Sequence, residues 1–190
     1  MLQSDLACCV WIPLFPLRCE EGRQPDLAAK PAAILSPHDT KRVWQVSPLA
    51  RRMGVKPGMT VSQSIGLCPA LTLCEPDPVF YDEQFARLLL ALSHVSPVIE
   101  PAELGRAYVG VDGLEGLYGP PEQQVHLIAS VLRHDGMRLG WGRGKFVPWV
   151  AATRAEPGSA VIVTDAVRVG FLASQPVAVL PLDPDTHRRL

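Results

Sequence analysis

The chain lacks an excess of positive charge: 18 lysines and arginines face 19 aspartates and glutamates, and the formal net charge is −1. A free-standing protein that binds duplex DNA is usually basic, so the net charge of this chain does not favour binding to nucleic acid. Weak contact with a DNA backbone would need a local patch. Two basic clusters offer one, although such clusters are most often solvated surface: Arg51, Arg52 and Lys56, and Arg138, Arg143 and Lys145.

Cysteine is sparse and poorly spaced for a metal. The five cysteines are odd in number and include no Cys-x-x-Cys pair, which argues against a zinc site and a disulfide framework. Apolar runs fall short of the ~18–20 residues of a transmembrane helix. The N-terminus carries Asp5 and no basic segment, unlike a secretory signal. We therefore expect a cytoplasmic protein without membrane contact.

Short apolar segments separated by proline make up most of the chain. Of its 190 residues, 47% are hydrophobic and 19 are proline, which suits one large domain or two small ones with a proper core. Periodicity predicts strands over Ala7–Leu17, Ala32–Ser36, Val43–Val46, Leu71–Cys74, Val98–Glu100, Arg106–Val111, Met137–Trp141, Ala160–Val163 and Val177–Leu180. Helices are predicted over Pro48–Met53, Thr60–Leu67, Pro78–Val95, Pro121–His134, Lys145–Arg154, Asp165–Leu172 and Asp183–Leu190.

Strands and helices alternate along the chain, with a strand hairpin in the middle. This order indicates an α+β fold: a ferredoxin-like sheet with helices on one face and a small subdomain inserted near residues 23–76. Ser47 is the predicted N-cap of its helix, with Pro48 at the first helical position. Arg18–Asp26 is charged and predicted to form a loop.

The segment Ser96–Gly113, SPVIEPAELGRAYVGVDG, resembles the central palm hairpin of the Y-family (translesion, UmuC-like) DNA polymerases. That hairpin follows a pattern like SP-x-x-EP-x-S-x-DE-A-[YF]-x-D-V, in which the acidic pair holds catalytic Mg²⁺. Gly105 and Arg106 stand at the acidic pair here. Glycine has no side-chain ligand and arginine repels a cation.

Three more segments resemble the same family in the expected order and spacing. In Val10–Glu21, Phe15 and Glu20 keep their places, whereas Trp11 and Pro13 stand where two aspartates belong. The fingers segment, SPLARRMGVKPGMTVSQSIGLCP, retains one triphosphate-contacting residue, Arg51. The segment LGWGRGKFVPWVAATRAEPGSAVIV retains another, Lys145. Four other positions of the pattern are replaced. Pro16 and Pro48 stand where the pattern has an aromatic residue, Gly144 stands for an asparagine, and Trp149 stands for a lysine.

The resemblance implies a palm at residues 1–22 and 77–190 and fingers at 23–76, with thumb, little finger and C-terminal tail outside this chain. Loss of the metal positions Trp11, Gly105 and Arg106 is similar to the inactive ImuB-type proteins of mutagenesis cassettes. We therefore expect a non-catalytic adaptor without a metal or other cofactor. Its implied partners are an error-prone replicative-type polymerase, a RecA-like accessory protein and the sliding clamp. Arg51 and Lys145 remain as a phosphate-binding remnant.

Two alternatives stay open for the chemistry. An active polymerase with an atypical metal site would use Glu103, which shares a strand face with Gly105. A nucleotide-sensing module would use the remnant. Arg106 has two interpretations as well: a surface salt bridge with a nearby glutamate, or a cation that replaces the metal charge and binds phosphate. Among the tryptophans, we expect Trp11 and Trp141 in the core and Trp149 exposed as an interface anchor.

Overall fold

The computed structural model describes residues 5–132, 134 and 136–180. Strands in these residues run over Leu6–Trp11 (β1), Ala32–Leu35 (β2), Val43–Val46 (β3), Thr72–Cys74 (β4), Ile99–Glu103 (β5), Arg106–Gly110 (β6), Arg138–Arg143 (β7) and Ala160–Val163 (β8). Helices run over Phe15–Arg23 (α1), Pro48–Arg52 (α2), Val61–Leu67 (α3), Pro78–Ser93 (α4), Glu115–Tyr118 (α5), Pro121–Leu132 (α6), Phe146–Arg154 (α7) and Asp165–Ala173 (α8). Short 3₁₀ helices cover Pro25–Ala29 and Val177–Val179.

The chain forms two compact units. The first holds residues 5–11, 91–102 and the described part of 106–180, and the second holds residues 12–90 and 103–105. The boundaries fall at different residues from the palm and fingers limits implied by the sequence, which stay a prediction.

The sheet of the first unit orders its strands β5–β6–β1–β7–β8. Strand β1 is antiparallel to both β6 and β7, and β7 is parallel to β8. Cys9 at the middle of β1 lies opposite Tyr108 and Gly140. The interior residues of β1 are all buried, as expected for a central strand covered on both faces.

Helices α6 and α7 lie against opposite faces of this sheet. Gly140 and Trp141 are neighbours on β7, so their side-chain positions point to opposite faces. The Trp141 indole donates a hydrogen bond to Gln124 of α6 over 3.1 Å. A Cβ at Gly140 would lie 2.0 Å from the Pro148 carbonyl oxygen of α7, so glycine lets that helix rest directly on the strand. The predicted α+β class is confirmed, with helices on both faces instead of one.

The second unit is built on a sheet ordered β3–β2–β4, in which β2 is antiparallel to β3 and parallel to β4. Strand β2 is buried along its whole length, because its alternate residues enter two apolar clusters. Ala33 and Leu35 pack with Val43, Val46, Ala50, Val55 and Cys68. Ala32 and Ile34 pack with Leu17, Leu27, Cys74 and Tyr81.

Polar side chains begin the helices of the second unit. The Ser47 hydroxyl accepts hydrogen bonds from the backbone of Ala50 and of Ala32, which confirms the predicted N-cap of α2. Thr60 and Gln63 form a capping box at the start of α3. These caps satisfy backbone donors that short helices otherwise leave open.

The structure departs from the predicted elements near both ends of the chain. Strand β1 stops at Trp11, and α1 occupies the predicted strand end and loop. The chain turns at Leu14, whose φ is 58°. Pro16 fits the first turn of α1 because the backbone N–H groups of that turn have no hydrogen-bond partner within the helix. The predicted strand Val177–Leu180 is instead a 3₁₀ turn, and the predicted helix Asp183–Leu190 lies outside the described residues. Of the helices that the structure describes, none is long and apolar enough to cross a membrane.

Candidate functional site

Trp11 lies at the centre of a row of side chains that crosses the sheet of the first unit. It pairs with Arg106 on β6 and with Arg138 on β7. Directly opposite residues share one face of a sheet, and neighbouring strands are ~4.8 Å apart. The register therefore places one arginine on each side of the Trp11 indole.

Trp149 of α7 packs on the same row. Its ring meets the Trp11 ring edge-on, with centroids 5.1 Å apart. The guanidinium carbon of Arg106 lies 4.1 Å from the centre of the Trp149 ring, and that of Arg138 lies 5.6 Å from the centre of the Trp11 ring. All four side chains are half-buried. We call these residues, Trp11, Arg106, Arg138 and Trp149, the Arg–Trp cluster.

The Arg–Trp cluster contains three positions at which the sequence departs from the Y-family pattern. Tryptophans stand for an aspartate at Trp11 and for a lysine at Trp149, and an arginine stands for a glutamate at Arg106. Each cation–π contact of this kind contributes ~0.5–2 kcal/mol. Sequence reasoning named all three positions without predicting that they touch. The sequence held one signal of this contact: at all three positions, a charged residue of the family pattern is replaced by a tryptophan or an arginine.

Of the three tryptophans whose environment the sequence predicted, one lies where it was expected and two do not. Trp141 is in the core as predicted, at 6% exposure. Trp11 is half-buried instead of fully buried. The expectation of an exposed Trp149 anchor is not met, because its half-buried ring packs with Cys9 and Tyr108 as well as with Trp11.

Gly105 occupies the two-residue turn between β5 and β6 and belongs to the second unit. Its φ is +82°, in the left-handed region that favours glycine. A Cβ there would lie 2.4 Å from the Phe15 Cβ and 2.7 Å from the Ile12 carbonyl oxygen. The Ile12 amide also donates a 2.8 Å hydrogen bond to the Gly105 carbonyl. An aspartate would not fit this turn unless the backbone moved.

The described side chains do not fit the magnesium pair that the resemblance implies. In residues 5–132, 134 and 136–180, no group of three or more histidine, cysteine, aspartate or glutamate side chains is placed to hold a metal ion. Glu103 is exposed at the end of β5. Asp112 accepts two 3.0 Å hydrogen bonds from the Leu6 amide, and Glu100 is bound to Lys145. We therefore derive no catalytic step through a metal at these residues.

The two residues of the predicted phosphate-binding remnant lie in different units. Arg51 is exposed in the second unit, and its Nε donates a 3.2 Å hydrogen bond to the Val46 carbonyl. Lys145 lies in the first unit, where its Nζ is 2.5 Å from Glu100 Oε1. Because a carboxylate already neutralises the lysine, its attraction for phosphate is reduced. The remnant stays a prediction.

Of the predicted basic clusters, the one in the first unit does not form a patch of unpaired cations. Arg143 is bound to Asp5 and Asp165, with its Nη2 3.0 Å from Asp165 Oδ2. This hydrogen bond is the main reason why the pKa of Asp165 lies below its ordinary range. Arg51, Arg52 and Lys56 of the second unit are exposed.

Sequence reasoning kept Glu20 as part of the family frame and missed its partner, Tyr81. Both are buried, and the Tyr81 hydroxyl donates a 2.7 Å hydrogen bond to Glu20 Oε1. Burial and the neighbouring Glu20 carboxylate raise the pKa of Tyr81 above its ordinary value. Arg23 Nη1 lies 3.7 Å from Glu20 Oε1, and the guanidinium carbon of Arg23 lies 3.4 Å from the centre of the Phe80 ring. The contact fixes α1 to α4 within the second unit.

The chain belongs to the impB/mucB/samB family, whose model matches residues 10–153. Curated relatives carry the name DNA polymerase IV. That of Alkaliphilus oremlandii (strain OhILAs) is 32% identical over 148 residues, which are 75% of this chain and 37% of that protein. That of Dehalococcoides mccartyi (strain CBDB1) is 28% identical over 171 residues, 88% of this chain and 44% of that protein. The chain thus spans less than half the length of these relatives.

Solved Y-family polymerases share the fold. The insertion ternary complex of Dbh DNA polymerase has a TM-score of 0.84 and 21% identity, and covers 97% of this chain and 56% of that chain. The crystal structure of DinB from Sulfolobus solfataricus has a TM-score of 0.82 and 20% identity, with the same coverage. The resemblance to a Y-family polymerase, and the palm-and-fingers fold that it implies, are confirmed.

The prediction that the chain is not an enzyme is contradicted by these relatives, because each bears the name of an enzyme. That prediction was based on Trp11, Gly105 and Arg106. Three positions in a chain less than half as long as its relatives do not decide the chemistry of the whole protein.

Proposed function

We propose that the protein containing this chain acts in translesion DNA synthesis, as part of DNA damage tolerance and induced mutagenesis in the cytoplasm, and that this chain is its palm and fingers. The family match over residues 10–153 carries the proposal. The name of the curated relatives and the likeness to Y-family polymerase structures support it.

The test is genetic. Deletion of the gene should lower mutation frequency after DNA damage, and expression of the intact protein should restore it. Expression of the empty vector in the deletion strain serves as the negative control. Damage-induced mutation and survival at wild-type levels in the deletion strain would overturn the proposal.

Within this function, we propose that the chain acts as an adaptor module through protein partners. The partners that the resemblance implies are an error-prone replicative-type polymerase, a RecA-like accessory protein and the sliding clamp. Helix α8 supports a protein contact, since Val167 and Val169 are 52% and 76% exposed, and exposed apolar surface favours association. Co-purification that is lost in Val169→Asp and kept in Arg168→Ala would support this proposal. Absence of binding to each of the three purified partners would remove it.

Template-directed DNA synthesis is a second candidate, favoured by the relatives' name. The measurement is primer extension by the purified protein on an undamaged and a lesion-containing template, with Mg²⁺ and with Mn²⁺. Extension that is lost in Glu103→Gln would support this candidate and assign the carboxylate. Failure to extend under all of these conditions would remove it.

A further inference from the structure

We propose that Met53 is a site of reversible oxidation, and that its sulfoxide opens the contact between α2 and α3 and exposes the buried thiol of Cys68. The oxidant is a hydroperoxide. It transfers one oxygen atom to the thioether, which becomes a sulfoxide, and the rest of the hydroperoxide leaves as water or an alcohol. The inference goes beyond the proposed function and does not depend on it, because it concerns two helices within the second unit.

The first argument is the contact between two sulfur atoms. Met53 is the C-cap residue of α2, and Cys68 is the C-cap residue of α3. The Cys68 thiol donates a hydrogen bond to the Met53 thioether, with Sγ and Sδ 3.3 Å apart. A Cβ on Gly54 would lie 3.8 Å from Leu67 Cδ1, so the chain packs closely around the same point. The sulfur contact therefore joins the C-terminal ends of the two helices.

The second argument is the difference in burial between the two partners. Met53 is 44% exposed, whereas Cys68 is fully buried. An oxidant in the solvent can therefore reach the thioether and not the thiol. Two other methionines of the described residues are less accessible: Met59 is half-buried and its Sδ accepts a hydrogen bond from the Lys56 amide, and Met137 is 3% exposed. Because oxidation follows exposure, Met53 should be oxidised before these two.

The third argument is the chemistry of the product. A thioether is a weak acceptor that packs as an apolar group, whereas a sulfoxide is polar. Cys68 belongs to an apolar cluster with Val46, Ala50 and Val55. A sulfoxide oxygen beside this cluster is more stable in water, so the oxidised Met53 side chain should turn away from Cys68. The thiol then loses its acceptor and its cover.

The experiment treats the purified protein with hydrogen peroxide, reduces any cysteine sulfenic acid with dithiothreitol, and follows each methionine by peptide mass spectrometry. Met53 should gain one oxygen atom about tenfold or more faster than Met137. Alkylation of Cys68 by iodoacetamide should then be several-fold faster than in untreated protein. Cys9, which is buried in the first unit, should keep its slow rate. Methionine sulfoxide reductases for both sulfoxide epimers should restore the slow alkylation of Cys68.

Met53→Leu and Met59→Leu are matched variants, since each replaces a thioether by an apolar side chain of similar volume. Peroxide should lower Tm by about 2–4 °C in the wild type and in Met59→Leu, as expected when one contact is lost from a chain of this size. Met53→Leu should show no shift. Met53→Gln places a polar side chain of similar length at the site and should speed the alkylation of Cys68 without peroxide. Circular dichroism checks that each variant is folded.

Equal rates of oxidation at Met53 and Met137 would overturn the proposal. So would a fully oxidised Met53 that leaves the alkylation rate of Cys68 unchanged, or oxidation of Cys68 ahead of Met53. A peroxide-induced loss of Tm that is as large in Met53→Leu as in the wild type would also reject it. None of these results changes the proposed function, which is tested separately by damage-induced mutation in the deletion strain.

Discussion

The Arg–Trp cluster of the first unit replaces residues of the Y-family pattern, whereas the Glu20–Tyr81 contact of the second unit keeps one of them. At the cluster, charged positions of the pattern are replaced by Trp11, Arg106 and Trp149, and the replacements pack on one another. At the contact, Glu20 is kept and bonded inside the core. From this difference we expect the Glu20–Tyr81 hydrogen bond to contribute more to stability than the contacts of the Arg–Trp cluster.

Gly105→Asp tests whether the hairpin still accepts the carboxylate of the family pattern, and it has the largest expected effect. We expect a loss of about 3 kcal/mol in the free energy of unfolding, from the left-handed backbone and from overpacking against Phe15 and Ile12. Urea unfolding followed by circular dichroism measures it.

Gly113 provides the control for that prediction. It also has positive φ, +75°, but a Cβ there would meet nothing within 4 Å. Gly113→Ala should lower stability by about 1 kcal/mol, and Gly105→Ala by clearly more. Equal losses in the two alanine variants would show that close approach does not make glycine necessary at Gly105.

Tyr81→Phe breaks the kept contact and should have the second largest effect. Removal of the hydroxyl leaves a buried carboxylate short of a hydrogen bond, which costs about 2 kcal/mol. Tyr118→Phe on α5 is the matched control and should be close to neutral. A neutral Tyr81→Phe would mean that water or Arg23 satisfies Glu20 equally well.

The pH dependence of the same contact has a definite sign. Because the folded-state pKa of Tyr81 is raised, the tyrosine ionises more readily when the chain unfolds. Its contribution to stability is complete below the unfolded-state pKa of ~10 and is lost as the pH rises through the folded-state value. The stability of the wild type should fall more steeply above that pH than that of Tyr81→Phe, as measured by urea unfolding at several pH values.

Local sequence signals predicted most elements and few of the contacts that build the site. Ser47 and Pro48 marked the start of α2 because capping acts within one turn of a helix. The start of α1 was missed, since the strand-like run continued through Phe15 and the turn depends on the strained φ of Leu14. Contact between Trp11 and Trp149 depends on strand order and on Gly140 admitting α7, and periodicity carries neither.

A double-mutant cycle between Arg106 and Trp149 tests whether the residues of the Arg–Trp cluster stabilise one another. We expect Arg106→Ala and Trp149→Ala to show a coupling of about 1 kcal/mol in the free energy of unfolding. A cycle between Arg154 and Trp149 on the same helix should show almost none. No coupling between Arg106 and Trp149 would mean that the two side chains merely lie side by side.

The smallest expected effects come from one exposed ion pair in each unit. Hydrogen bonds from Arg143 and Arg23 lower the pKa values of Asp165 and Asp77. A lowered carboxyl pKa gives stability that is present above the unfolded-state value of ~3.9 and lost as the pH falls through the folded-state value.

Arg143→Ala should return the pKa of Asp165 toward its ordinary value and leave Asp77 unchanged, and Arg23→Ala should do the reverse, as followed by NMR titration of the carboxyl carbons. The two variants should nevertheless differ in stability. Arg23 also stacks on Phe80 and approaches the buried Glu20, whereas Arg143 contacts exposed carboxylates. Arg23→Ala should therefore be the less stable variant at neutral pH, where both aspartates are ionised. Equal stabilities would show that the kept contact of Glu20 and Tyr81 gains nothing from Arg23.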